Sequence, residues 1–460
     1  MNNAVSNKIE LISAPQNWEV IQNVNGKADI TVLGRFVVDE NDDTQQTLSF
    51  DKERLLTRVV DESDSSVVAY AKYPTIDGDR FSVTVTGVPC GGPYTLDFVM
   101  PITETGDIHS VKGERRYHFC VGDVFVVAGQ SNAAGMGKDI VEDAPEIGVH
   151  VMRNLERWDM ASYPFNDSDY SKHGMHLAFA KKLKKELGYP IGIIPGAMGG
   201  APLSRWLKNE DGDLYAKLMN AIKKNKIGIK SVLWYQGCTD AGDGVSMDDY
   251  ISRFETLVSD FRYDFSNDEL AFFTFQLNRI KTTDEMAFLG ENYDKIREAQ
   301  RRAAQKIPGV YILPTIDATH MSDFIHMSSA SYNVMGHRMA LQVLRSLYNR
   351  KNIIINAPEI KSATIADKNR VILEFDNVLD MLYDFNAPLS AYPITLDDNL
   401  GEVALKERVI SENRIEITAT RNFEGTLIIG GQRGTDPKNI IIDYGTQLPM
   451  LCFCDFVATK

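Results

Sequence analysis

The stretch Val124-Phe-Val-Val-Ala-Gly-Gln-Ser-Asn-Ala-Ala-Gly135 decides the fold, because an apolar run ends there abruptly in a turn of small residues. β-Branched and aromatic residues without polar alternation are typical of a strand buried on both faces of a parallel sheet. The break at Gly129-Gln-Ser-Asn132 predicts that the Ser131 hydroxyl lies at the carboxyl end of that strand, where open α/β sheets carry their ligand sites. Ser131 is then either a helix cap or a nucleophile.

A second segment, Asp323-Phe-Ile-His326, favours the nucleophile. A serine hydroxyl needs an adjacent base, which is usually a histidine held in one tautomer by a carboxylate. An aspartate and a histidine three residues apart, in a turn that enters a helix, can make that contact from one loop. The helix is predicted by apolar residues that recur every four positions, with Ser328 or Ser329 as its cap: Met335, Met339, Val343 and Leu347.

The same spacing occurs a second time, in Asp317-Ala-Thr-His320, so the pattern by itself leaves two candidate pairs. His320, Asp323 and His326 could also be read as metal ligands. The H-E-x-x-H pattern or a cysteine pair that would support a metal is missing around them, and we expect neither a metal nor a cofactor.

Four short blocks occur in order along the chain: Gly129-Gln-Ser-Asn132, Gly199-Gly-Ala-Pro-Leu-Ser-Arg-Trp206, Trp234-Tyr-Gln-Gly-Cys-Thr-Asp240 and Asp323-x-Ile-His326. Together they resemble the SGNH hydrolases, and within them the sialate O-acetylesterase-like carbohydrate esterases. The last block is followed by a helix containing Gly336-His-Arg-Met-Ala340, which is similar to the family's Gly-Arg-Arg-x-Ala. The resemblance spans roughly residues 120 to 345.

The resemblance implies a catalytic triad of Ser131, His326 and Asp323, and it selects His326 over His320. Ser131 would attack an acetyl carbonyl, His326 would move the proton, and Asp323 would orient the imidazole.

The oxyanion donors that the resemblance implies are the backbone N–H groups of Ser131 and Gly200 and the side-chain amide of Gln236. Gln236 stands where many SGNH enzymes use an asparagine. For Gly200 the alternative is a plain tight turn after the strand. For Trp206 and Trp234 we favour core packing over stacking on a sugar.

Cys238 and Thr239 stand where this family commonly has Glu and Ser. A cysteine removes a charge and a strong acceptor, which puts the substrate contacts in doubt but not the triad.

Composition excludes several other classes of protein. A formal charge of −14 argues against nucleic acid and anionic membranes as partners. The sequence has no transmembrane stretch and no apolar signal-peptide core near Met1, and its five cysteines form no evident disulfide framework. We therefore expect a cytoplasmic protein, or a secreted one if a signal was removed.

The chain divides into three predicted regions. Residues 1–119 have the short alternating strands of a β-sandwich, residues 120–352 alternate strands and helices, and residues 353–460 return to a β pattern. The predicted fold class is α/β: an SGNH-type three-layer domain, with a parallel sheet and helices on both faces, flanked by two β-sandwich domains. The flanking domains could brace the catalytic domain, mediate a homo-oligomer or bind sugar; we favour bracing.

The sequence therefore predicts a serine esterase that removes O-acetyl groups from a carbohydrate, either sialic acid or an acetylated oligosaccharide, through an acetyl-serine intermediate. Two alternatives remain open. One is an esterase or thioesterase that acts on a non-sugar acyl group. The other is a non-catalytic carbohydrate-binding protein on an esterase scaffold, which the Cys238 and Thr239 replacements motivate.

Overall fold

The computed structural model describes residues 8–37, 50–103, 105–139, 141–165, 172–281, 283, 289–318 and 323–460. The chain has a mixed α/β structure, with one large mixed sheet and further β-sheets before and after it. At this level the predicted fold class is confirmed. His320 lies outside the described residues.

Two sheets that share one apolar core make up the first part of the chain. Along β3 buried and exposed residues alternate, as expected of a strand with one face on a core. One sheet has the order β10-β1-β3-β7-β6, and β4, β5, β8 and β9 belong to the other. The strands are β1 (Lys8–Ser13), β2 (Val20–Gln22), β3 (Lys27–Val37), β4 (Leu56–Asp61), β5 (Val67–Lys72), β6 (Thr75–Asp77), β7 (Arg80–Pro89), β8 (Gly91–Pro101), β9 (Ile108–Ser110), β10 (Lys112–Gly113) and β11 (Arg116–Gly129).

The central part alternates strands and helices around a sheet of order β13-β12-β14-β11-β15-β16-β17. Its neighbours pair in parallel except β13, which runs antiparallel to β12. The elements are α1 (Ser131–Ala134), β12 (Val149–Arg153), β13 (Arg157–Met160), α2 (His176–Leu187), β14 (Ile191–Pro195), α3 (Asp213–Lys224), β15 (Ser231–Tyr235), α4 (Cys238–Gly242), α5 (Met247–Asp264), β16 (Ala271–Phe275), α6 (Leu289–Lys306), β17 (Val310–Leu313) and α7 (Ser329–Leu347).

The strand order puts β11 at a topological switch point. The chain leaves β11 to build β12 and β14 on one side, and then crosses to β15, β16 and β17 on the other. Ligand sites of open α/β sheets lie beyond the carboxyl ends of the strands at such a point. Ser131 follows β11 directly, so the topology places it there.

β11 also joins the first part of the chain to the central sheet. Its beginning pairs with β8 and β2, whereas its end pairs with β14 and β15. The predicted boundary between residues 119 and 120 falls inside this single strand.

The helices pack in groups beside the central sheet. α2 packs against α7, and α5 packs against α6. Ser328 caps α7, because its hydroxyl accepts a hydrogen bond from the Ser331 N–H at 3.2 Å. Trp206 and Trp234 are fully buried and meet edge to face with ring centroids 5.4 Å apart, so both pack in the core as predicted.

The last part of the chain is a β region with its own apolar core. One four-stranded sheet has the order β18-β19-β24-β23, and another has the order β22-β21-β25-β27. The strands are β18 (Glu359–Asp367), β19 (Arg370–Asp376), β20 (Leu382–Tyr383), β21 (Ile394–Asp398), β22 (Gly401–Glu402), β23 (Leu405–Ser411), β24 (Arg414–Ala419), β25 (Ile428–Gly431), β26 (Ile442–Asp443) and β27 (Phe453–Val457).

Buried polar contacts hold this region against the central part. The Gln276 amide donates to the Cys452 carbonyl at 2.9 Å, and its oxygen accepts from the Cys452 N–H at 2.8 Å. The Ile280 N–H donates to the Thr435 carbonyl at 2.8 Å. Because Gln276 and Ile280 follow β16 closely, the C-terminal region is attached next to the carboxyl edge of the sheet.

None of the helices within the described residues is long and apolar enough to cross a membrane.

Candidate active site

The turn after β11 projects Ser131 from the end of the sheet. Gly129 has φ +121°, and a Cβ added to it would lie 2.2 Å from the Tyr235 carbonyl oxygen of β15. Glycine is therefore required where the chain leaves the sheet. α1 then begins at Ser131, whose residue surface is 7 % exposed.

Gln130 ties this turn to the neighbouring strand. Its side-chain oxygen accepts hydrogen bonds from the Gly237 N–H at 2.9 Å and from the Thr239 N–H at 3.4 Å. No role of Gln130 is predicted from the sequence. Its position inside the Gly129–Asn132 block was the only signal available for it.

Asp323 and His326 form the predicted pair. The His326 Nδ1 lies 2.9 Å from Asp323 Oδ2, while Asp323 Oδ1 accepts from the backbone N–H groups of Ile325 at 3.2 Å and His326 at 2.8 Å. The loop is thus folded around the carboxylate, and the imidazole is oriented by it. Nε2 is the ring nitrogen that remains for a reacting group.

The Asp323 carboxylate is held in its ionised form. Partial burial opposes ionisation, but hydrogen bonds from the Lys138 ammonium at 2.7 Å and from His326 outweigh it, so the pKa of Asp323 lies well below its usual range. A carboxylate that stays charged can stabilise an imidazolium beside it.

The loop after β16 supports the Asp323–His326 loop from the other side. The Lys281 N–H donates to the Phe324 carbonyl at 2.9 Å, and the Asn278 amide lies 3.4 Å from the Ile325 carbonyl. The neighbouring Ile280 is the residue bonded to Thr435 of the C-terminal region, so the support continues into that region.

Ser131, Asp323 and His326 line one open cleft of about 470 Å³ at the carboxyl edge of the sheet. The structure therefore brings Ser131 into one cleft with the Asp323–His326 pair, which is far from it in the sequence. The remaining residues of the cleft lining are Gln130, Met136, Lys138, Lys172, Gly199, Gly200, Cys238, Thr239 and Ile325.

Of the three predicted oxyanion donors, Ser131 and Gly200 are in this cleft. Gly200 has φ +68° in the turn after β14, and its carbonyl accepts from the Thr239 hydroxyl at 3.2 Å. That contact fixes the orientation of the Gly200 carbonyl, next to the cleft-lining Thr239.

The prediction for Gln236 is not supported by its geometry. The residue is fully buried, and its amide nitrogen faces inward to the Asp240 carboxylate and, at 3.3 Å, to the Ala201 carbonyl. Its oxygen accepts from the Tyr250 hydroxyl at 3.2 Å. Because these partners occupy the side chain, Gln236 is not an oxyanion donor in this arrangement. It connects the turn after β15 to the turn after β14.

Cys238 starts α4 and lines the cleft, but burial raises the pKa of its thiol to about 11. A nucleophilic cysteine needs a lowered pKa, so this thiol is not activated.

The described residues contain no group of three or more His, Cys, Asp or Glu side chains arranged to hold a metal ion. Of the residues considered as metal ligands, Asp323 and His326 bind each other, and His320 lies outside the described residues.

Comparisons with known proteins bear on the central part of the chain. Residues 121–345 match the family model described as carbohydrate esterase, sialic acid-specific acetylesterase. A probable carbohydrate esterase of Arabidopsis thaliana is 28 % identical over 242 residues, which cover 47 % of this chain and 88 % of that protein.

A similar solved structure extends the likeness of the fold to nearly the whole chain. A carbohydrate acetylesterase from Xanthomonas citri matches with a TM-score of 0.65 and 19 % identity, over 96 % of this chain and 99 % of the other. At this identity the match shows a shared fold. A crystal structure of an Arabidopsis thaliana protein covers 49 % of this chain and 98 % of its own, with 25 % identity and a TM-score of 0.42.

The family recognised from the sequence blocks is confirmed. Residues 121–345 match this carbohydrate esterase family, and the chain is an esterase.

Proposed function

With an esterase domain at residues 121–345 as the premise, we propose that the protein removes O-acetyl groups from a carbohydrate through an acetyl-serine intermediate on Ser131. The observation that carries the proposal is the Asp323–His326 pair, which is bonded through Nδ1 and lines the same cleft as Ser131. A serine becomes a nucleophile when a histidine oriented in this way lies within hydrogen-bond reach of its hydroxyl.

In the first half of the reaction His326 Nε2 takes the Ser131 proton while Oγ attacks the acetyl carbonyl carbon. Asp323, already ionised, stabilises the imidazolium that forms. The tetrahedral intermediate then collapses. Its C–O bond to the sugar breaks, and His326 returns the proton to the departing sugar oxygen.

In the second half, water attacks the acetyl-serine ester. His326 takes a proton from the water and returns it to Ser131 Oγ, which releases acetate. The backbone N–H groups of Ser131 and Gly200 are the donors we assign to the oxyanion in both halves. Gln236 is not included, because its amide is occupied inside the protein.

Acetylated sialic acid and acetylated oligosaccharides are the substrate classes we propose. They are supported by the description of the matching family and by the name of the Arabidopsis relative. We also assign the central domain to the three-layer SGNH class with β-sandwich flanks, supported by the two helix groups beside the sheet and by the separate apolar cores of the flanking regions.

The test is acetate release from a small acetyl ester and from acetylated glycans, with Ser131→Ala beside the native protein. We expect the variant to lose roughly 10⁴-fold or more in turnover. Ser204→Ala is the matched control, because the Ser204 hydroxyl bonds Asp211 at 2.9 Å outside the cleft lining; this variant should keep its activity.

Other results would redirect the proposal. Faster turnover of longer acyl chains or thioesters than of acetates would indicate the non-sugar esterase. Sugar binding without any hydrolysis would indicate a binding protein on an esterase scaffold. An active Ser131→Ala variant would refute the serine mechanism.

A further inference from the structure

We propose that Lys138 is a positioning residue of this site, which holds the Asp323 carboxylate and extends activity to lower pH through the positive charge that it places beside the Asp323–His326 pair. The inference rests on the proposed function, since it assumes that His326 is the base. Lys138 is not among the site residues predicted from the sequence.

The carboxylate oxygen that orients His326 is shared with Lys138. The Lys138 ammonium donates to Asp323 Oδ2 at 2.7 Å, and the same oxygen lies 2.9 Å from His326 Nδ1. The ammonium and the imidazole are therefore neighbours across one atom. A positive charge at that distance disfavours a second positive charge on the ring, and it favours the ionised carboxylate.

Lys138 stands on a turn that is itself fixed to the helix following the His326 loop. The next residue, Asp139, accepts a hydrogen bond from the Ser329 N–H at 2.6 Å, and its carbonyl accepts from the Ser329 hydroxyl at 2.8 Å. Ser329 is the first residue of α7. The segment that follows the Ser131 helix is thus anchored on both sides of the His326 loop, through Asp323 before it and Ser329 after it.

The other charged or titratable groups of the cleft do not duplicate this contact. Asp323 is the partner itself, and the Cys238 thiol stays protonated because burial raises its pKa to about 11. Lys172 lines the same cleft and enters it from the segment before α2. Asp139 faces Ser329. Lys138 is therefore the cleft lysine whose ammonium directly contacts the Asp323–His326 pair.

Two opposing effects follow for catalysis. The ammonium places a positive charge next to the Asp323–His326 pair, which opposes a second positive charge on the ring. It also competes with the imidazolium for Oδ2 during the reaction. Removing the charge should therefore raise the pH at which activity is lost on the acid side, while activity at alkaline pH is reduced little or not at all.

The experiment is the pH profile of kcat/KM with a soluble acetyl ester, since its acid limb reports groups of the free enzyme. We expect Lys138→Met to move the acid midpoint upward by about half a pH unit or more, so that activity well below the midpoint falls by about threefold or more. Lys138→Arg, which restores the charge, should keep the native midpoint. Lys138→Gln keeps a donor without the charge and should follow Lys138→Met; it also serves if the Met variant does not fold.

Lys172→Met is the matched control, because it removes a cleft lysine that is not set against Asp323, and it should move the midpoint less. An unchanged midpoint in both Lys138→Met and Lys138→Gln, or an equal shift in Lys172→Met, would overturn the inference. Ser131→Ala measured in parallel separates the two proposals. If that variant keeps its activity, the proposed function fails; if only the midpoint prediction fails, the serine mechanism stands.

Discussion

Replacing Asp323 by asparagine should convert His326 into the wrong tautomer. Asp323 Oδ1 accepts two backbone N–H groups, from Ile325 and His326, so an asparagine must keep its carbonyl oxygen at that position. Its NH₂ group is then forced into the position of Oδ2, facing His326 Nδ1 and the Lys138 ammonium. The NH₂ donor now faces the ring nitrogen, so Nδ1 can only accept.

The size of the effect follows from the tautomer. With Nδ1 accepting, the ring proton moves to Nε2, which can no longer take the Ser131 proton. Loss of the correct tautomer in a serine–histidine–aspartate triad costs about 10⁴-fold in kcat. The Asn NH₂ beside the Lys138 ammonium adds a repulsive contact that weakens the loop, so we expect a loss of about 10⁴-fold or more.

The assay is initial-rate hydrolysis of an acetyl ester by the native protein, Asp323→Asn and Asp317→Asn. Asp317 belongs to the second copy of the Asp-x-x-His spacing, but its carboxylate pairs with Arg338 at 2.5 and 2.8 Å. Asp317→Asn should leave His326 in the tautomer that accepts a proton at Nε2, and it should keep most of the activity. If Asp323→Asn retained more than about a tenth of the native rate, the assignment of Asp323 as the orienting group would be wrong.

Two further predictions concern stability. Gln276→Met leaves the Cys452 N–H and carbonyl without their partner and should lower the free energy of unfolding by about 2–4 kcal/mol in urea denaturation. Gln305→Met loses an exposed contact to Glu359 in the same interface and should change the free energy of unfolding by less than about 0.5 kcal/mol. Equal effects of the two variants would contradict the docking role of Gln276. Burial lowers the pKa of His150 from 6.5 to about 4. As the pH falls below 6.5, the unfolded chain therefore binds a proton at this histidine before the folded protein does. The free energy of unfolding should then decrease by up to about 1.4 kcal/mol per pH unit until the pH reaches about 4. His150→Leu should flatten that slope, and an unchanged slope would count against a neutral buried His150.

Much of the central sheet could be predicted because its strands have a simple pattern. Residues 149–153, 191–195 and 231–235 are short apolar runs bounded by turns, a pattern typical of buried strands, and they form β12, β14 and β15. The helix predicted from residues spaced by four is α7, capped by Ser328. These are local signals.

The parts of the site that depend on side-chain direction could not be predicted. Sequence places Gln236 beside the cleft-lining Cys238, but whether its amide points to the cleft is decided by Asp240, Ala201 and Tyr250. Lys138 is separated from Asp323 by 185 positions, and a single lysine after Gly-Met-Gly has no periodicity or spacing that indicates its partner. Long-range pairings of this kind are set by the fold and have no local signature.

The shared strand β11 determines whether the N-terminal region can be separated from the central sheet. The first half of β11 is hydrogen-bonded to β8, and its second half is hydrogen-bonded to β14 and β15. A hinge between the N-terminal region and the central sheet would therefore have to bend one continuous strand and disrupt its hydrogen bonds. The N-terminal region is therefore not a detachable module. A truncation that removes the chain up to the end of β11 would delete the central strand of the large sheet and the segment that leads into Ser131. Shortening or exchanging that region in an engineered esterase should therefore affect catalysis and solubility together.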